Sequence, residues 1–94
     1  MDELLTSAQV KAILLTAIST GTLSFSKHAL VEMAADGLTE IDVVNACRGA
    51  IVQPGEFVNT SYRYRVETFR MAAVVAIRAI DHAVVVTPWK RKRR

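Results

Sequence analysis

The chain has 94 residues, is 51% hydrophobic and carries a net charge of +3. That length suits one domain, residues 1–94, and no apolar run approaches the ~18 residues of a membrane span. The one cysteine, Cys47, excludes an internal disulfide and fits a reducing compartment. Acidic Asp2 and Glu3 stand where a signal peptide would be basic. A cytoplasmic protein with no membrane attachment is therefore expected.

Charge is unevenly placed. Lys90, Arg91, Lys92, Arg93 and Arg94 carry +5, so residues 1–89 carry −2. The high isoelectric point belongs to the tail and not to the globule.

In chain order, Asp2 to Ser19 is predicted as a helix, with acids at its start to suit the dipole and Gly21 as its stop. Leu4, Leu5, Ala8, Ala12, Leu15 and Ile18 lie near one face, and Val10, Ile13 and Leu14 broaden the stripe. Such a stripe is either a core face or half of a homodimer contact. Leu23-Ser24-Phe25 is a short extended piece. Ser26 reads as the N-cap of a helix from Lys27 to Asp36, closed by Gly37. Thr39, with Asp42 three residues on, opens a third helix that Gly49 closes. Its buried side is expected to hold Ile41, Val44 and either Cys47 or Val43. Pro54-Gly55 marks a turn, leaving residues 50–53 and 56–59 as short edge strands.

Strict alternation from Tyr62 to Glu67 sets Arg63, Arg65 and Glu67 on one strand face and Tyr62, Tyr64 and Val66 on the other. Met71 to Ile80 is apolar enough for a central strand covered on both faces. Asp81-His82 reads as a hairpin tip before the strand Ala83 to Trp89. The order of elements predicts an α+β fold, with N-terminal helices packed on a C-terminal antiparallel sheet of three or four strands.

Three groups of residues could carry chemistry. His28, in the first turn of its helix, is of a type that titrates near neutrality and so suits a general acid or base. Its structural alternative is a histidine packed on the sheet. Arg63 and Arg65 stand about 7 Å apart along one strand face, a spacing that suits a phosphate or a phosphorane-like transition state. Their alternative is pairing with Glu56 or Glu67. Trp89 beside Lys90 could stack a base next to a cation, or else seal the core; Arg91, Lys92, Arg93 and Arg94 extend the basic run. Neither the histidines nor Cys47 has metal-ligand spacing, so no metal or cofactor is expected.

The blocks Phe25-Ser-Lys-His28-Ala-Leu-Val-Glu-Met33-Ala-Ala-Asp-Gly37-Leu-Thr-Glu-Ile-Asp42-Val-Val, Arg48-Gly49, Tyr62-Arg-Tyr-Arg-Val-Glu67 and Val84-Val-Val-Thr-Pro-Trp89-Lys90 occur in this order. Together they resemble a small bacterial domain of unknown function marked by a Ser-x-His-Ala helix start, related to RelE-like and MqsR-like toxins. The resemblance spans a core of residues 23–89 and reaches Lys90, leaving residues 2–20 as an added N-terminal helix and residues 90–94 as a basic tail. It implies a barnase-, colicin- or RelE-like fold of helices on an antiparallel sheet. It also implies a metal-independent endoribonuclease or a non-catalytic relative, with an antitoxin-like protein as partner and His28, Arg63, Arg65, Trp89 and Lys90 at the matching positions. Three readings stay open: an endoribonuclease using His28, Arg63 and Arg65, a non-catalytic module that binds RNA or a protein, and a homodimeric interaction protein built on the N-terminal helix.

Overall fold

A computed structural model describes residues 4–91. The first helix, α1 (Ser7–Ser19), begins at Thr6, whose hydroxyl accepts from the Gln9 amide while the Gln9 side chain accepts from the Thr6 amide. This reciprocal cap satisfies two orphan donors, and it starts the helix after Leu5. The expected start at Asp2 lies outside the described residues. The buried stripe is Val10, Ile13, Leu14 and Ala17, one face at i, i+3, i+4 and i+7. Leu4 and Leu15 are nearly half exposed instead. So much of the α1 circumference is apolar that packing, rather than periodicity, selects the inner face.

After β1 (Thr22–Phe25) come α2 (Lys27–Asp36) and α3 (Glu40–Gly49). Ser26 caps α2 by accepting from the Ala29 amide, and Thr39 with Asp42 forms a capping box on α3. The inner residues of α3 are Val43 and Cys47, whereas Ile41 is exposed. The remaining strands are β2 (Ile51–Val52), β3 (Glu56–Val58), β4 (Ser61–Glu67), β5 (Met71–Ala79) and β6 (His82–Lys90). Among the described residues no helix is long and apolar enough to cross a membrane.

The strands form one sheet in the order β1-β6-β5-β4-β2, with β3 also paired to β4. This corrects the expected α+β arrangement with three or four antiparallel strands: the described residues form a mixed α/β fold with three helices and a six-stranded sheet. The barnase-, colicin- or RelE-like sheet implied by the resemblance is corrected with it. The decisive departure is β1, which lies parallel to β6, Thr22 through Phe25 facing His82 through Val85. A strand of four residues carries too little pattern to reveal a partner so far downstream. The two short strands β2 and β3 account for the rest, both pairing with β4 on either side of the Gln53-Pro54-Gly55 break.

All three helices share one face of the sheet. Their inner residues join Tyr64, Val66, Met71, Ala73, Val75, Ile77, Ala83 and Val85 in a single core. Tyr64 is 1% exposed, and its hydroxyl accepts the Leu5 amide at 2.8 Å. Lys11 reaches from α1 to donate to the Ala50 carbonyl at 2.8 Å, a cation set at the C-terminal end of α3. The β5–β6 turn falls at Ile80–Asp81, one residue earlier than expected, because His82 already pairs with Ala79.

Two positions test this packing. A Cβ on Gly55 would strike the Tyr64 ring, which is buried and anchored through its hydroxyl, so Gly55→Ala should cost about 1–3 kcal/mol. In the β3–β4 hairpin, Asn59 and Thr60 both have positive φ, +50° and +62°, the geometry of a two-residue primed turn. A β-branched residue is strained there, and Thr60→Gly should stabilise by about 0.5–1 kcal/mol. Urea midpoints at unchanged slope would check both.

Candidate functional site

Because side chains alternate along a strand, the partners of the core residues point to the sheet face that the helices leave uncovered. On β4 these are Arg63, Arg65 and Glu67. The register sets Ala76, Val74 and Ala72 of β5 beside them, and Thr87 and Trp89 of β6 beyond. The small central side chains leave a trough. Ala72 and Ala76 are 1% and 0% exposed although no helix among the described residues covers them, between the longer side chains of the neighbouring strands. Arg65 reaches across β5 to place its guanidinium carbon 5.0 Å from the centroid of the Trp89 ring. A shallow cleft of about 270 Å³ lies here, lined by Pro54, Glu56, Arg63, Arg65, Val74 and Trp89 among others. The strand expected to be covered on both faces is thus covered by helices on one only.

The two arginines are engaged differently. Arg65 donates to the Glu67 carboxylate from Nε and from a terminal nitrogen, each at 3.1 Å. Arg63 donates from Nε to the Ser61 hydroxyl at 3.1 Å. Glu56 stands opposite it in register, yet among the described residues no ion pair takes up the Arg63 terminal nitrogens. Glu67 also accepts from the Gln53 side chain at 2.7 Å and lies 3.8 Å from Arg91. The Gln53 hydrogen bond, with the Arg65 and Arg91 charges, holds its carboxyl below the usual range. Trp89 is half-buried outside the core, over the trough.

His28 is elsewhere. It sits at the start of α2, exposed, with Nε2 3.9 Å from Glu32. The helix follows β1, an edge strand three places from β4 in the sheet. Three strand spacings amount to about 14 Å, and α2 packs on the other face. The fold brings Arg63, Arg65 and Trp89 together, sets Arg91 at their border through Glu67, turns Lys90 towards Asp42 on the helix side, and leaves His28 apart. Lys92, Arg93 and Arg94 lie outside the described residues.

Sequence reasoning missed one pair: the Ser24 hydroxyl lies 3.2 Å from His82 Nε2. It follows from the β1–β6 register, which no local pattern signals. Among the described residues no carboxylate bonds the other ring nitrogen, where a nucleophile's base would be oriented. Among those residues, too, no cluster of three or more His, Cys, Asp or Glu could hold a metal ion. Cys47 is buried, and desolvation pushes its thiol up to about 11.

Because its folded pKa is depressed, Glu67 contributes stability at pH values above the unfolded carboxyl value, near ~4.3, and loses it as pH falls through the folded value. Glu67→Gln should therefore reduce the stability lost between neutrality and acid. Denaturant melts across pH 7 to 3 would show a shallower acid limb in the variant. An unchanged limb would mean that the clasp contributes nothing in solution.

Comparison of the chain with protein-family models, with curated proteins and with solved structures finds no match to any.

Proposed function

We propose that the helix-free sheet face binds single-stranded nucleic acid, RNA in the first instance, as a non-catalytic module. One observation carries this reading: the Arg65 guanidinium over Trp89, beside an Arg63 whose fork no carboxylate among the described residues occupies. Single strands are held by aromatic faces that stack bases and by cations that track the phosphates. Both lie in one trough here, and the chain runs on from Trp89 into Lys90 and the basic tail. Catalysis lies outside this reading because His28 stands on another element, facing away from the arginines. A cytoplasmic setting goes with it, since a free thiol such as Cys47 suits a reducing compartment.

Anisotropy titrations with a labelled oligouridine test the proposal. If all five cations from Lys90 to Arg94 engage phosphates, log affinity should fall against log salt with a slope of about −3.5, from roughly 0.7 per contact. Removing Lys92–Arg94, three cations, should lessen that slope by about 2. Arg63→Ala with Arg65→Ala should weaken binding ~10-fold or more even in the shortened chain. Lysine at both positions should restore only part, since an ammonium lacks the planar fork. Unchanged affinity in the double alanine variant would make the arginines structural. RNA cleavage in EDTA that His28→Ala abolishes would replace the binding reading with a catalytic one.

A further inference from the structure

A second, larger cleft lies across the end of β6 from the trough. It measures about 710 Å³ and opens between the α2–α3 connection, the outer side of α3, the β4–β5 turn and the last residues of β6. Its walls carry three cations, Arg70, Lys90 and Arg91, against one carboxylate, Asp42. That carboxylate is already committed, accepting the Thr39 amide at 2.8 Å in the α3 cap. Arg91 donates to the Thr68 carbonyl at 2.9 Å. Among the described residues no hydrogen bond occupies the guanidinium of Arg70 or the ammonium of Lys90. The Lys90 charge acts on Asp42 and Arg91 lies 3.8 Å from Glu67, yet with Arg70 the wall keeps an excess of positive charge that an anion would complement.

The turn that carries Arg70 is built to hold its shape. The Thr68 hydroxyl accepts from the amides of Arg70 and Met71, at 3.3 and 3.2 Å, and the Thr68 amide donates to the Met71 carbonyl at 2.8 Å. The tip so fixed presents Phe69, 66% exposed, at the lip of the cleft beside Arg70. Leu38 and Met71 add apolar wall, and Asn45 adds an amide able to donate and accept. An aromatic face next to a cation cluster suits a planar ring that carries a phosphate.

We infer that this cleft binds a nucleoside monophosphate group, with the phosphate at Arg70, Lys90 and Arg91 and the base against Phe69 and Asn45. Lys90 and Arg91 also belong to the cation run that strand binding would use, but Arg70, Phe69 and Asn45 do not, so the inference goes beyond strand binding and does not require it. The same chemistry is offered by a free mononucleotide and by the phosphorylated end of a nucleic-acid strand.

Calorimetric titration of the full chain with AMP, adenosine and inorganic phosphate at low salt tests the inference. AMP should bind, phosphate more weakly, and adenosine not measurably. Arg70→Ala, at an exposed turn, should weaken AMP ~10-fold or more, the loss typical of a charge-assisted hydrogen bond. Phe69→Ala should weaken AMP while sparing phosphate. Comparing 5′-phosphorylated with 5′-hydroxyl oligouridine identifies the source: a ~10-fold preference for the phosphorylated end, with weaker AMP, assigns a strand terminus, and the reverse assigns a free nucleotide. AMP no tighter than inorganic phosphate would overturn the inference. So would AMP affinity indifferent to Arg70→Ala and Lys90→Ala but lost with Arg63→Ala and Arg65→Ala. Loss of the 5′-hydroxyl oligomer with Arg63→Ala and Arg65→Ala reports on the trough, and loss of AMP with Arg70→Ala reports on the cleft, so either site can fail alone.

Discussion

Parallel pairing of Thr22–Phe25 with His82–Val85 ties the N-terminal half of the chain to its last strand, and the layer arrangement depends on it. Gly21 makes the approach feasible, since any Cβ there would strike the Asp81 carbonyl oxygen that accepts the Thr22 amide. At the other end of β1, Ser26 donates from its amide to Val85 and from its hydroxyl to Val86. These bonds seat the start of α2 on β6. The far end of α1 is held at the opposite edge, where Ser7 donates to the Val52 carbonyl. A helix of 13 residues is about 20 Å long, close to four strand spacings of ~4.8 Å. The length of α1 therefore matches the width it crosses from β2 to β1.

Anchoring α1 at both edges and α2 at β6 commits the helices to a single layer. The opposite face keeps the residues that alternation sends there, and the small side chains of β5 decide what they can do. With Ala72 and Val74 between them, Arg65 and Trp89 meet over the central strand although their own strands lie two spacings apart, roughly 10 Å. A large residue at position 72 would lie between them. Glu67 tempers the arrangement: it draws on Gln53, Arg65 and Arg91, tying the trough to the border of the larger cleft. An anion arriving at either place competes with that carboxylate for a guanidinium.

Strand order also separates groups that a reading of the chain sets side by side. His28 and the arginines could have shared a cleft had the strand before α2 been next to β4. With β6 and β5 between them, the histidine borders a different edge. In its place the same order makes a contact between Ser24 and His82, two residues with no sequence proximity.

Much of the local structure is legible in the sequence, because caps and alternation act within a few residues. Ser26 and Thr39 announce α2 and α3, Gly37 caps the first while Gly49 is the last helical residue before the Ala50 cap of the second, and the Tyr62–Glu67 alternation sorts arginines from core before any fold is known. The apolar run from Met71 to Ile80 declares a central strand, which in the structure ends at Ala79. Other features are decided only by the tertiary structure. The inner face of α1 is one, since a helix apolar on most sides carries no unique stripe. The parallel β1–β6 pair, the one-sided helix layer, and the cleft joining Arg70 to Lys90 and Arg91 are the others. Each unites residues distant in the chain, and their pairing depends on backbone hydrogen bonds and close approach. Those interactions are common to all residue types, and so leave no local mark in the sequence.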